Sequence, residues 1–198
     1  MAYKLRAKMR PQPARVIPAA VAFPSELDKE VLDRITEFGM AAGLGKGLVA
    51  EGDVDVVHRD ALVAWLMENS TTRWLYQIVD TLMARANEVW KLDIRAFPEP
   101  LQYSVYEKGH FYGWHWDQTI DSETHRKMAL TLQLSDGEAY AGGDLEIMEQ
   151  DGIGRPLPGA RKRGHVIAFP GWVLHQVTPV TAGERHSLVA WAHGPRVK

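Results

Sequence analysis

The chain predicts a mainly β protein, a sandwich or barrel buttressed by α-helices, and three observations carry that expectation. An apolar stripe at helical spacing runs from Leu75 to Val89. At Leu101 the apolar period drops from near 3.6 to 2. Beyond that point, short strand-like runs alternate with turns bearing Gly and Pro. Two helices followed by about eight short strands fit a sheet layered under helices.

Taken in order, residues 1–14 form a basic arm expected to be mobile, with Lys4, Arg6, Lys8 and Arg10 in it and no acid before Glu26. Val16 to Phe23 is too short, and too interrupted by Pro18, for a secretory signal, and it reads as an edge strand. Pro24-Ser25 followed by Asp28 opens a helix, along which Leu27, Val31, Ile35 and Phe38 recur until Gly39 and Gly43. Residues 54–58 alternate weakly, as a short strand would. After Ser70-Thr71-Thr72 a second helix carries Leu75, Ile78, Val79, Leu82, Ala86 and Val89 on one face. Residues 24–92 are thus helical support, and 15–198 is expected to be one domain with its β core at 101–193.

In that core Leu101, Tyr103 and Val105 alternate with Gln102, Ser104 and Tyr106, and Met128, Leu130, Leu132 and Leu134 alternate with Ala129, Thr131 and Gln133. Further strands are expected at Asp144–Met148, His165–Phe169, Trp172–Val177 and Ser187–Ala192. Gly142-Gly143 marks a turn or bulge. Gly152 to Gly164 reads as a solvated surface loop in preference to the other reading of its Arg155, Arg161, Lys162 and Arg163, a patch that attracts an acidic partner.

The chemistry concentrates in two stretches. His115 and Asp117 are two apart, so on an extended strand both leave one face and can reach one metal ion. His175 would complete two imidazoles and one carboxylate, a facial set that leaves positions open on Fe(II). Ten residues on, Arg185 can grip a carboxylate through two charge-assisted hydrogen bonds, and Ser187 leaves the same strand face with a hydroxyl to add. A dicarboxylate such as 2-oxoglutarate suits that anchor, with metal and anchor supplied by neighbouring strands. Alone, His115 with Asp117 would be a hydrogen-bonded pair at a strand end, and His175 a core or surface histidine. The ordered set is what gives them meaning. Trp114, Trp116, Trp172 and Trp191 surround these residues in sequence and would wall the site.

The order His-x-Asp, His and Arg-x-Ser, flanked by Tyr103-Ser-Val-Tyr106, Gly142-Gly-Asp-Leu145 and Trp191, resembles the Fe(II)- and 2-oxoglutarate-dependent dioxygenases, in their prolyl 4-hydroxylase-like branch. Where that branch often has Lys this chain has Arg185, a departure that resembles its bacterial-type hydroxylases. The resemblance implies a double-stranded β-helix (a jelly roll, cupin-like). It also implies Fe(II), 2-oxoglutarate and O2, with ascorbate as a reductant and succinate and CO2 as co-products. By position Tyr106 matches the co-substrate tyrosine, while Tyr112, Trp191 and Tyr103 fall where the substrate pocket would be. The implied reaction is hydroxylation of an unactivated C–H, foremost on a prolyl residue of a peptide or protein. Residues 42–53 and 118–127 would be the loops flanking such a substrate. The alternatives are a free amino acid or small metabolite, a non-catalytic jelly-roll binding module, or a zinc hydrolase on the same ligands. The last two have no use for a dicarboxylate anchor.

Composition agrees. With 45% apolar and 24% charged residues the chain can fill one core. A net charge of -2 leaves no overall footprint for nucleic acid, and the lack of cysteine removes disulfides and thiolate metal sites. No apolar run reaches the ~20 residues of a membrane span. The cytoplasm follows as the expected compartment, since reduced iron and 2-oxoglutarate are found there. Oligomeric state is left open.

Overall fold

The computed structural model describes residues 17–47, 58–118 and 124–195. The expected basic arm, most of the alternating run 54–58, and residues 48–53 and 119–123 of the two expected loops lie outside these. In chain order the elements are β1 (Val21–Pro24), α1 (Lys29–Ala41), β2 (Gly45–Lys46), β3 (Arg59–Asp60), β4 (Leu62–Leu66), α2 (Arg73–Asn87), β5 (Leu101–Tyr106) and β6 (Phe111–His115). They continue with β7 (Thr124–Gln133), β8 (Tyr140–Gly142), β9 (Leu145–Met148), β10 (Gly154–Pro156), β11 (His165–Pro170), β12 (His175–Val177), β13 (Val180–Gly183) and β14 (Arg185–Pro195).

Two sheets carry the architecture. One has seven strands in the order β1-β11-β7-β14-β5-β4-β2, and the other five in the order β10-β9-β12-β6-β3; β13 and β8 form a separate pair. The large sheet is buried on both faces. Leu101, Tyr103, Val105, Met128, Leu130, Leu132, Val166, Ala168, Leu188 and Ala190 point to the helices, where they pack with Ile35, Leu75, Val79 and Met83. The alternate residues Ala129, Ile167, Phe169 and Trp191 pack instead with Leu145, Ile147 and Val177 of the small sheet. Period-2 alternation therefore separates two cores, a helix-backed one and one between the sheets.

The helices form where their apolar stripes meet the sheet. In α1, Leu32 and Ile35 are buried and Glu30 stands favourably in the first turn. Gly39 lies against Tyr103, so close that a Cβ there would come within 2.3 Å of its ring. At the start of α2, Asn69 Oδ1 accepts hydrogen bonds from the Thr71 and Thr72 backbone N–H groups, at 2.8 and 3.2 Å. The Gly142-Gly143 turn is confirmed: both glycines have positive φ, and a Cβ on Gly142 would meet the Pro179 carbonyl oxygen.

Several expectations need correction. Leu62–Leu66 is a strand that sequence reading missed, because Leu-Val-Ala-Trp-Leu is continuously apolar and shows no period. Trp172-Val-Leu forms a turn before β12, closed by the Val173 N–H donating to the Pro170 carbonyl. Residues 124–127 belong to β7, not to a loop. Arg155, Arg161 and Arg163 are engaged within the chain, by Glu149 and Asp151, by Asp144, and by Asp33 respectively.

Candidate active site

The space between the sheets opens into a cavity of ≈ 320 Å³, within the range of small-molecule sites, roughly 300–1,000 Å³. His115, Asp117, His175, Arg185, Ser187, Tyr106, Tyr112 and Trp191 all line it. Tyr103 does not. Strand alternation sends it to the helix face with Leu101 and Val105, where it is fully buried and its hydroxyl meets His186 Nδ1 at 2.6 Å. Contrary to expectation, Tyr103 therefore lies outside the substrate pocket.

The small sheet brings the two histidines together. His115 at the end of β6 is the cross-strand partner of His175 on β12. Each ring is fixed by its Nδ1, His115 on the Gly113 carbonyl at 2.8 Å and His175 on the Val173 carbonyl at 2.9 Å. A carbonyl can only accept, so Nδ1 carries the proton in both rings and each Nε2 lone pair is free. Those Nε2 atoms face Asp117, His115 at 3.9 Å from Oδ1 and His175 at 3.8 Å from Oδ2. Two metal–ligand bonds of ~2.1 Å span at most ~4.2 Å, so each of these separations can be bridged by one ion. Asp117 itself lies just beyond β6 rather than on it, its strand having ended at His115.

Burial, reinforced by the neighbouring His175, holds the His115 imidazole neutral, with its pKa pushed down to about 3. Neutral imidazole is the form that binds a metal. Tyr112 stacks on His115 with ring centroids 3.6 Å apart, and Phe169 lies 4.4 Å from the His175 ring. Tyr112 and His115 share a face although three residues apart, because the β6–β12 register shifts between them.

The large sheet supplies the opposite wall. Arg185, Ser187, Val189 and Trp191 on β14 line the cavity with Gln102 and Tyr106 of β5 and Ala129 and Thr131 of β7. The expected anchor thus faces the ligand cluster across two sheets instead of standing on a neighbouring strand. Arg185 is 2% exposed, and among the described residues no carboxylate pairs with its guanidinium. The buried Ser187 Oγ likewise has no hydrogen-bond partner there. A buried, unpaired cation beside an unsatisfied hydroxyl is costly unless an anion joins them.

Sequence reading missed Arg59, Trp65 and Arg126 as cavity residues. Arg59 donates from Nη2 to Gln102 Oε1 at 3.1 Å and lies over the Tyr112 ring. Arg126 lies over the Trp191 ring, its guanidinium carbon 4.0 Å from the centroid. Of the four tryptophans near the ligands, Trp191 is buried in the wall and Trp116 lines it while 62% exposed. Trp172 is 48% exposed and is not among the lining residues.

Known proteins resemble this chain in sequence and in fold. Residues 101–193 match the profile of the 2OG-Fe(II) oxygenase superfamily. That match covers just under half of the chain. The chain is 35% identical over 119 residues to a PKHD-type hydroxylase of Shewanella baltica, covering 58% of this chain and 51% of that one. It is 39% identical over 93 residues to a PKHD-type hydroxylase of a Synechococcus strain, covering 44% and 40%. The chain spans about half the length of the curated relatives it matches. Its fold is that of a Pseudomonas putida prolyl-4-hydroxylase, at TM-score 0.68 and 21% identity over 91% of this chain and 94% of that one. It is also that of a Trichoplax adhaerens prolyl hydroxylase solved with a hypoxia-inducible-factor peptide fragment, at TM-score 0.70 and 18% identity over 88% and 83%. The architecture is accordingly the double-stranded β-helix. The matched superfamily implies Fe(II), 2-oxoglutarate and O2, and the His-Asp-His cluster fits iron.

Proposed function

We propose that this oxygenase hydroxylates an unactivated C–H of a prolyl residue in a peptide or protein, with succinate and CO2 as co-products. The observation that carries the reading is one cavity holding both halves of the requirement, a His115-Asp117-His175 cluster and an unpaired Arg185-Ser187 anchor. Iron on the cluster would supply oxidation of the C–H bond, which no side chain here can perform.

The chain's own part is geometry. Val173 and Gly113 fix the imidazoles so that both Nε2 atoms and the Asp117 carboxylate converge. Arg185 and Ser187 take the far carboxylate of 2-oxoglutarate, with Tyr106 lying beside Arg185 at 5.5 Å. Phe169, Leu145, Val177 and Trp191 keep water from the space between. Peptide substrates are supported by the rim, where Trp65 and Trp116, 43% and 62% exposed, offer flat apolar faces beside the cavity. Prolyl rings dock well on such surfaces. The names of the relatives point the same way. Ascorbate is proposed as the reductant that keeps the iron ferrous, and the cytoplasm as the compartment. Among the described residues no helix is long and apolar enough to cross a membrane.

Succinate formation with Fe(II), ascorbate, O2 and 2-oxoglutarate tests the reading. A proline-containing peptide should raise the rate well above the uncoupled one and gain one oxygen on proline by mass spectrometry, while free proline should not stimulate. Oxygen gain confined to a free amino acid or another metabolite would overturn the prolyl assignment. Absence of both succinate formation and 2-oxoglutarate binding would overturn the hydroxylase reading and favour a binding module.

A further inference from the structure

A cluster of charged groups behind the Asp117 carboxylate is not used by the reaction as derived above. Glu99, on the segment leading into β5, chelates Arg126 of β7. Arg126 Nε donates to Glu99 Oε1 at 2.6 Å, and Nη2 donates to Oε2. Burial opposes charge on Glu99, yet Arg126 and His193 together hold its carboxyl down to about 2. Because that carboxylate can only accept, His193 Nε2 donates to Oε1 at 2.6 Å. With two guanidinium nitrogens committed to Glu99, the third, Nη1, stands 3.9 Å from Asp117 Oδ1, and the guanidinium plane rests on Trp191.

A backbone irregularity makes this arrangement. Met128 pairs with Ala192 and Arg126 with His193, so Lys127 is an extra residue in β7. Without that bulge Arg126 would share the helix face with Met128 and Leu130. With it, Arg126 turns into the cavity beside Asp117.

We propose that Arg126 is a positioning residue for Asp117: Glu99 holds its guanidinium so that Nη1 faces Oδ1 at 3.9 Å, an ion-pair contact that sets the carboxylate's orientation toward His115 and His175, while the guanidinium carbon sits over Trp191 in the cavity wall. This rests on the assignment of His115, Asp117 and His175 as metal ligands. Asp117 follows the end of β6, so no strand pairing fixes its carboxylate, and Arg126 supplies the missing restraint. Groups behind a ligand that orient it typically alter metal affinity by roughly 10–100-fold when removed.

Charge and orientation give opposite expectations, which makes the inference testable. Arg126→Gln leaves the Glu99 anion beside the site, so electrostatics alone would tighten binding of a divalent cation. Positioning requires the opposite. Anaerobic Mn(II) titration of the full chain should show Arg126→Gln weakened by roughly 10–100-fold. Arg126→Lys should be weakened too, because one ammonium cannot chelate Glu99 and face Asp117 together. The visible spectrum of the Co(II)-saturated protein should also change in both variants. Tighter or unchanged binding with an unaltered Co(II) spectrum would overturn the proposal, and a lowered melting temperature alone would reduce Arg126 to a structural role. If neither Arg126 variant folds, Glu99→Gln decides, by an altered Co(II) spectrum in support or an unaltered one against. Failure of the wild-type chain to bind Mn(II) is a different result, since it removes the ligand assignment itself.

Discussion

Arg185 and Ser187 stand two residues apart on β14 and point into the cavity with no hydrogen-bond or ion-pair partner for their side chains among the described residues, and at the scale of single residues they carry the functional argument. A guanidinium left unpaired at 2% exposure is retained against its own desolvation cost, and a bound dicarboxylate removes that cost. Arg185→Ala should therefore raise the 2-oxoglutarate requirement by tens to thousands-fold, the equivalent of roughly 2 to 5 kcal/mol for a charge-assisted contact. Arg185→Lys should be milder, since it keeps a charge though not the fork. The apparent KM for 2-oxoglutarate in the succinate assay measures both. The same strand alternation that places Arg185 correctly also disqualifies Tyr103. Its odd-numbered neighbours Leu101 and Val105 were already readable as core, so the signal that removes it from the pocket was present in the sequence.

Strands and helices were legible wherever one period held. Leu101–Tyr106 and the Met128–Leu134 stretch of β7 alternate cleanly, and α2 shows its stripe, because each has one face committed to the helix-backed core. Reading failed where the period breaks. Leu62–Leu66 has no polar alternate, and the bulges in β6 and β7 bring Tyr112 and Arg126 onto the cavity face against strict alternation. Bulges arise from cross-strand register, which a single sequence does not display. The contact of α1 with the sheet was equally hidden, since Gly39 looked like a helix stop and is in fact the point of closest approach to Tyr103. On helix propensity alone Gly39→Ala would gain ~1 kcal/mol. A Cβ within 2.3 Å of a buried ring should win over that gain, giving a net loss of about 1–3 kcal/mol by urea unfolding. A stabilised variant would contradict this packing.

Across the whole molecule the division of labour lies between two sheets. The seven-stranded sheet, braced by α1 and α2, presents the carboxylate anchor, and the five-stranded sheet presents the imidazoles from two adjacent strands. The ligand set could be read from spacing because His-x-Asp, His and Arg-x-Ser follow the strand order. That anchor and ligands face each other across the gap could not, since facing is a property of how the sheets close. His115, Asp117 and His175 are proposed to form one metal site within this cavity. Anaerobic calorimetric titration with Mn(II), run on the wild type and on His115→Ala, Asp117→Ala and His175→Ala, tests it most directly. Binding at micromolar metal in the wild type, lost in each variant while the fold persists by circular dichroism, is the predicted result; undiminished affinity in all three variants would contradict it.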